Sequence, residues 1–191
     1  MARKKKQNKS NAKEELVLTT EQPDFRVVGL YGPVDEEMCE EVIRSLLTFA
    51  YTGDEPIQLI LSTAGGLATE MFAVYDIMRN IRGDRRLITL GLGKIMSAGV
   101  LLLASGTKGS RKIGKHCKVM IHGLKSDLMG YMPTIENDLE ELKRIQKMYI
   151  KTLSEETNMS KKYIRELFNR KIDIYLTAEE AVELGIADEI V

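Results

Sequence analysis

The alternation of apolar, strand-like runs with amphipathic, helix-like stretches is the feature that most limits how this chain can fold. Apolar runs between turn residues predict strands, and apolar side chains at helical spacing predict helices. In chain order, the expected elements are a strand at 25–31, a helix at 34–51, a strand at 57–61, a helix at 67–82, a strand at 86–92, a helix after Ser97 and a strand that ends at His122. Because the links are short, we predict an α/β fold with parallel strands joined by right-handed crossovers.

The C-terminal part of the chain departs from this alternation. Residues 134–157 predict one long charged helix with a stripe of apolar side chains, which are Ile135, Leu139, Leu142, Ile145, Tyr149 and Leu153. Such a stripe usually packs on the core, but so long a helix outside the alternation favours contact with another subunit. A short helix is expected at 160–169, a helix that starts with a Thr177–Glu180 capping box ends at Gly185, and residues 186–191 resemble a final strand.

Charge is unevenly distributed along the chain. The sequence has 28 basic and 28 acidic side chains, but six of the basic ones lie within residues 1–13, which contain no acid. We predict a disordered basic tail at residues 1–20, with contact to an anionic partner as the alternative, and one folded domain at residues 21–191. The chain after residue 13 carries more acidic than basic side chains, so it lacks the basic face that nucleic-acid binding requires.

Several classes of protein are not expected from this sequence. No run approaches the roughly 20 apolar residues that span a bilayer, and no apolar segment follows the basic N-terminus as in a secretory signal. Cys39 and Cys117 have neither CxxC nor metal-binding spacing. We therefore expect a cytoplasmic protein without a disulfide framework, a bound metal or a membrane anchor.

Three residues at the ends of the expected elements have the chemistry of an acyl-transfer site. Ser97 precedes an almost purely apolar helix, His122 ends an apolar strand, and Asp173 precedes a helix start near the C-terminus. A serine hydroxyl becomes a nucleophile when a base removes its proton, and a carboxylate can orient the imidazole that does so. Taken alone, the three residues could be a helix cap, a satisfied core histidine and a loop acid. Their combination favours a catalytic triad.

A triad also needs backbone N–H groups that bind the oxyanion of the tetrahedral intermediate. Ala98, at the start of the apolar helix, offers one such N–H group. The Gly65–Gly66 pair after the second strand can approach a ligand closely and offers another, although the same pair also suits an ordinary strand-to-helix turn. A phosphate-binding loop is not expected, because neither GxxxxGK[ST] nor GxGxxG occurs.

Two other residues are weaker candidates for catalysis or binding. Lys94 lies three residues before Ser97 and could form a Ser-Lys dyad, but a charged residue in such a turn is expected to be exposed. His116 lies in a polar run without neighbouring carboxylates, so metal binding is not expected there.

Five groups of residues, in order and with similar spacing, give residues 25–191 a resemblance to the proteolytic subunit of the Clp protease. The groups are Tyr31–Asp35, Ser62–Gly66 with Ala73–Met78, Met96–Gly99, Val119–His122, and Asp173–Ala181 with Gly185–Asp188. The resemblance implies a crotonase-like α/β fold of repeated β-β-α units, with residues 134–157 as a long protruding handle helix.

The same resemblance implies a role for each candidate site residue. Ser97 would be the nucleophile, His122 the general base and Asp173 its orienting acid, while Gly66 and Ala98 would supply the oxyanion-hole N–H groups. No metal and no organic cofactor would be needed.

The resemblance also implies partners. The family assembles as two stacked heptameric rings, a tetradecamer that encloses a proteolytic chamber, and an ATP-driven unfoldase feeds it unfolded protein and peptide chains. This chain departs from the family where the unfoldase docks, with Gln58, Ile60 and Lys112 in place of aromatic residues. It also departs at Lys125–Ser126, in place of a Gly pair after the catalytic histidine, and at Lys171–Ile172, in place of a charged pair that bridges the rings. By this resemblance the catalytic residues match the family, whereas the docking and assembly surfaces have diverged.

We therefore predict a cytoplasmic serine endopeptidase that hydrolyses peptide bonds through an acyl-enzyme on Ser97, within a ring-shaped homo-oligomer. One alternative is a non-catalytic ring subunit of a mixed Clp-type assembly, which would not need an intact triad. A second is a crotonase-type acyl-CoA enzyme, which also holds an oxyanion with paired N–H groups. No adenine-binding feature supports that second alternative.

Overall fold

A computed structural model of the chain describes residues 26–191, and the predicted basic tail at residues 1–20 lies outside the described residues. Within residues 26–191 the chain forms seven strands, which are β1 (Val27–Tyr31), β2 (Ile57–Thr63), β3 (Leu87–Met96), β4 (Arg111–Ile113), β5 (Lys118–Ile121), β6 (Ile174–Leu176) and β7 (Glu189–Ile190). The helices of the same region are α1 (Glu36–Thr52), α2 (Ala68–Asp84), α3 (Ala98–Ala104), α4 (Met132–Glu156), α5 (Lys161–Asn169) and α6 (Ala178–Glu183).

The strands form one mixed sheet that forks along β3. Strands β1, β2, β3, β4 and β7 lie side by side in this order and run parallel to one another. The first part of β3 pairs with β4 at residues 89–91, whereas its last part pairs with β5 at residues 94–96. Strand β6 then adds antiparallel to β5. The fork brings the end of β3, the end of β5 and the start of β6 to one place.

The helices cover the sheet with the apolar faces that their spacing predicts. Helix α1 begins at the N-cap Asp35, whose carboxylate accepts the N–H of Met38 at 3.0 Å, and it buries Cys39, Val42 and Leu46. Helix α3 is apolar on every side, and all seven of its residues are buried. A helix that is apolar on every side is stable only within the core. The buried position of α3 therefore holds Ser97, the residue before it, close to the sheet.

The long helix α4 divides into two halves with different surroundings. Towards its C-terminal end Tyr149, Ile150 and Leu153 are buried. Nearer its N-terminal end Leu139 is 42% exposed and Met132 is 68% exposed. The apolar stripe therefore packs on the core along one half of the helix only.

A buried ionic network joins the C-terminal end of α4 to α2. Glu156 is 3% exposed, and its carboxylate accepts from the Tyr75 hydroxyl at 2.9 Å and from the Arg82 guanidinium at 2.7 Å. Burial by itself would raise the pKa of Glu156, but the hydrogen bonds from Arg82 and Tyr75 outweigh it and hold the pKa below its ordinary value. The carboxylate therefore stays ionised and ties the two helices together.

Most of the elements expected from the sequence are present, with three differences. Strand β3 is longer than expected and continues to Met96. Strands β4 and β6 were not expected. Each has only three residues, too few for a sequence pattern, and each forms through its pairing with a neighbouring strand. The expected strand at 186–191 is confined to Glu189–Ile190. The predicted capping box of Thr177 and Glu180 is confirmed.

Within residues 26–191 none of the helices combines the length and the apolar character that a membrane span needs.

Candidate active site

Ser97 occupies a sharp turn between the end of β3 and the start of α3. Its backbone has φ 53° and ψ −118°, a conformation that costs a residue with a side chain about 1–3 kcal/mol. The N–H of Ser97 donates to the carbonyl oxygen of Met120 in β5 at 2.8 Å. Its carbonyl oxygen accepts from the Tyr149 hydroxyl of α4 at 3.1 Å and from the N–H of Val100 at 3.0 Å. Three elements thus hold the strained turn in place.

The Ser97 side chain does not cap helix α3, which is a common structural role for a serine just before a helix. Although Ser97 precedes α3 directly, its hydroxyl makes no capping hydrogen bond to the helix. Within residues 26–191 the hydroxyl has no other hydrogen-bond partner either, and a strained serine of this kind between a strand and a helix can present its oxygen to a ligand.

Glycines allow the loop after β2 to pack against this turn. Gly65 has φ 94°, and a Cβ atom placed there would lie 2.6 Å from the Cβ of Ser97 and 2.9 Å from the carbonyl oxygen of Met96. A Cβ on Gly66 would lie 2.2 Å from the carbonyl oxygen of Val34. Only glycines fit at these two positions, which places the backbone of the loop directly beside Ser97.

The two predicted oxyanion donors lie beside Ser97. Hydrogen bonds on both sides of Gly66 anchor its loop, since Val34 N–H donates to Gly65 at 3.0 Å and Leu67 N–H donates to Val34 at 2.7 Å. The N–H of Ala98 is the first of α3, so the helix offers it no acceptor. Within residues 26–191 neither Gly66 nor Ala98 donates its N–H to another group.

Ser97, Ala98, Gly66 and His122 line one cavity of about 350 Å³. Its other walls are mainly apolar and come from α2, α4, the loop before α2 and residues 123–126 after β5; they include Leu67, Met71, Leu142, Ile145 and Tyr149, together with the polar Lys125 and Ser126. The polar groups are therefore gathered beside an apolar recess, which is the usual character of a small-ligand or peptide site.

His122 follows β5 and, with residues 123–125, lines both this cavity and a second one. The second cavity, also of about 350 Å³, contains Asp173. The Nδ1 atom of His122 lies 2.5 Å from the carbonyl oxygen of Gly123. A carbonyl oxygen can only accept, so Nδ1 carries a proton, and in the neutral imidazole Nε2 then has the free lone pair. This tautomer is the one that a general base needs.

Asp173 is brought next to His122 by the antiparallel pairing of β5 with β6. Ile121 pairs with Ile174, so His122 and Asp173 are the next pair along this register. The carboxylate of Asp173, however, is bound by Lys125, whose Nζ lies 2.7 Å from Oδ1. The hydrogen bond from Lys125, together with its positive charge, lowers the pKa of Asp173.

The structure thus brings the five predicted site residues to one region without joining all of them. Within residues 26–191 no hydrogen bond links His122 to Ser97 or to Asp173. Sequence reasoning missed the contact of Lys125 with Asp173 and that of the Tyr149 hydroxyl with Ser97. Tyr149 was visible only as a member of the apolar stripe, and nothing in its spacing pointed to its hydroxyl.

The weaker candidates occupy the positions expected of them. Lys94 is exposed, as predicted, and His116 is exposed as well. Among the residues that the structure describes, no three or more His, Cys, Asp or Glu side chains are grouped as metal ligands. Cys39 and Cys117 are buried free thiols, and burial raises the pKa of each to about 11.

Comparison with known proteins identifies the family of this chain. The family model described as Clp protease matches residues 11–191. The chain belongs to the Clp protease family. One relative, the ATP-dependent Clp protease proteolytic subunit 2 of Thermobifida fusca (strain YX), is 32% identical over 166 residues, which cover 86% of this chain and 80% of the relative.

Membership of the Clp protease family confirms the resemblance noted in the sequence, and the mixed α/β sheet agrees with the fold of that family. The Clp protease match begins at residue 11, inside the segment that we predicted as a tail. The boundary between tail and domain stays a prediction, as do the roles of the individual site residues.

Proposed function

We propose that this member of the Clp protease family is a serine endopeptidase whose nucleophile is Ser97. The observation that carries the proposal is the strained turn at Ser97, whose unused hydroxyl shares a cavity with the imidazole of His122 and the free N–H groups of Gly66 and Ala98. Family membership supports the peptidase activity itself.

The chemistry follows from the protonation state of the imidazole. Nε2 of His122 accepts the proton of the Ser97 hydroxyl while the oxygen attacks the carbonyl carbon of the peptide bond. The N–H groups of Gly66 and Ala98 bind the oxyanion that forms. His122 then returns the proton to the leaving amine, and the C–N bond breaks to give an acyl-enzyme. Water, deprotonated by His122, hydrolyses the ester and restores the serine.

Asp173 is assigned the orienting role in this mechanism. A carboxylate that accepts the Nδ1 proton holds the ring in the correct tautomer and stabilises the imidazolium that forms during the reaction. In the described structure the carbonyl of Gly123 accepts that proton instead. The assignment therefore requires the ring to exchange one acceptor for the other.

The cavity indicates which side chain of the substrate is bound next to the cleaved bond. Its apolar walls, which include Leu67, Met71 and Leu142, favour an apolar substrate side chain. Protein and peptide chains are the substrates that fit both this recess and the family.

We also propose that the chain works as a ring-shaped homo-oligomer of stacked heptamers in the cytoplasm. The exposed apolar residues around the N-terminal half of α4 support self-association, since Met129 and Tyr131 are 88% and 87% exposed and Met132 is 68% exposed. An ATP-driven unfoldase is proposed as the partner that delivers substrates, with the docking surface altered at Gln58, Ile60 and Lys112.

The test is covalent labelling by a fluorophosphonate probe, which reacts with activated serines. We expect the wild-type oligomer to be labelled and Ser97→Ala to remain unlabelled. Ser126→Ala is the matched control, because Ser126 lines the same cavity and has no role in the mechanism. Size-exclusion chromatography with light scattering establishes that all three proteins assemble alike. Assembled wild-type protein that takes up no label would refute the proposal and support the non-catalytic ring subunit.

A further inference from the structure

Lys125 and His122 lie beside the same carboxylate. Lys125 follows His122 by three residues, and the pairing of β5 with β6 places Asp173 next to both. The carboxylate is taken by the lysine, with Nζ 2.7 Å from Oδ1. The Nδ1–H group of His122 donates a hydrogen bond to the carbonyl oxygen of Gly123, with Nδ1 2.5 Å from that oxygen. The Asp173 carboxylate and the Nδ1–H group of His122 therefore each have another partner and do not bind each other.

This arrangement has a direct effect on the proposed reaction. An imidazole that becomes positively charged in the transition state gains from a neighbouring carboxylate that is free to interact with it. A carboxylate bound by an ammonium group is partly neutralised and is held towards the lysine. We propose that Lys125 is a positioning residue that holds Asp173 away from His122 and thereby lowers the reactivity of Ser97. This inference rests on the proposed function.

The ion pair between Lys125 and Asp173 is exposed enough to break and re-form readily. The Lys125 side chain is 67% exposed and that of Asp173 is 34% exposed. Exposed pairs shift an equilibrium by about fivefold at most, and salt weakens them. The arrangement with Asp173 on His122 is therefore accessible to the wild-type protein, and removal of the lysine charge should raise the reactive fraction by up to about fivefold.

The experiment compares Lys125→Met with Lys125→Arg and with the control Lys171→Met. Lys171 lines the same cavity as Asp173, and within residues 26–191 it makes no ion pair, so its replacement removes the same charge without releasing the carboxylate. We measure the rate of fluorophosphonate labelling, and kcat and KM on a short peptide. Lys125→Met should be labelled up to about fivefold faster and should raise kcat. Lys125 also lines the substrate cavity, so the labelling rate and kcat, and not KM, report the release of Asp173. Lys125→Arg and Lys171→Met should keep wild-type rates.

Two further comparisons separate this role from a general effect of charge or structure. Sodium chloride at high concentration should speed the labelling of the wild type and leave Lys125→Met unchanged. In an Asp173→Asn background, replacement of Lys125 by Met should have no effect, because no carboxylate remains to be released. A lysine that acted independently of Asp173 would give the same increase in both backgrounds, and this result would overturn the inference.

Crystal structures decide the inference even if Ser97 proves unreactive. In Lys125→Met we expect a hydrogen bond of about 2.8 Å between His122 Nδ1 and the carboxylate of Asp173, and in the wild type the carboxylate on Lys125. If His122 stays on the carbonyl of Gly123 in both proteins, Lys125 does not control the contact and the inference is wrong. Failure of all wild-type protein to take up the probe would instead refute the proposed function.

Discussion

Replacement of Tyr149 by phenylalanine removes one of the contacts that hold the strained turn at Ser97. The Tyr149 side chain is buried, and its ring stacks on Phe168 with centroids 5.9 Å apart and an interplanar angle of 8°. Burial raises the pKa of Tyr149, so its hydroxyl stays protonated and donates to the Ser97 carbonyl oxygen at 3.1 Å. Phenylalanine keeps the ring and its packing and deletes this donor alone.

The expected magnitude follows from what remains after the change. A buried hydrogen bond between neutral groups contributes about 1 kcal/mol to stability. The Ser97 carbonyl oxygen keeps its bond from Val100 N–H, so no acceptor is left without a partner and the loss should not exceed this figure. We therefore expect the free energy of unfolding to fall by about 1 kcal/mol. If the lost bond held the turn in its reactive conformation, labelling of Ser97 slows by about fivefold.

Urea denaturation and the rate of fluorophosphonate labelling measure the two effects separately. Tyr51→Phe is the control, since Tyr51 is 87% exposed and loses the same hydroxyl group. A Tyr149→Phe protein that loses about 1 kcal/mol of stability but is labelled at the wild-type rate would refute the positioning of Ser97 by Tyr149. Equal stability of the two variants would show that the hydrogen bond itself contributes nothing.

Two further substitutions test the packing at the site and the ionic network. Gly65→Ala should abolish labelling of Ser97 and lower the free energy of unfolding by at least about 2 kcal/mol, because the new methyl group meets the Ser97 Cβ at a left-handed φ of 94°; wild-type labelling kinetics would contradict this packing. Glu156→Gln should cost about 3 kcal/mol at neutral pH, because it leaves the largely buried Arg82 without its counter-charge. Since the folded-state pKa of Glu156 is lowered, its contribution is present above pH 4.5 and is lost as the pH falls through the folded-state pKa, so the penalty should shrink in acid. A penalty in urea denaturation that is the same at pH 3 and pH 7 would exclude this cause.

The parts of the fold that the sequence predicts are those with a local signal. The apolar stripe of α1 and the alternating burial of β2 are encoded in neighbouring residues, so their type and approximate bounds follow from periodicity. Strand β6 depends on pairing with β5, from which it is separated by more than fifty residues. No local pattern in three residues can predict such a partner.

The candidate site shows the same division. Ser97 and His122 could be selected because each adjoins a predictable element, and Asp173 because it lies shortly before the predictable capping box of α6. The contacts made by their side chains could not be selected, because they depend on distant neighbours. The Lys125–Asp173 pair joins two residues 48 positions apart, and the contact of Tyr149 with Ser97 spans 52 positions.

His122 lines two cavities, and the carboxylate proposed to orient its ring lies in the one that does not contain Ser97. In the proposed mechanism substrate binds beside Ser97, whereas Asp173 lines only the second cavity and Lys125 lines both. A small molecule that entered the second cavity and displaced Lys125 from Asp173 would not compete with peptide. Its kinetic signature would be a change in turnover, so screens that measure only displacement of substrate would overlook it.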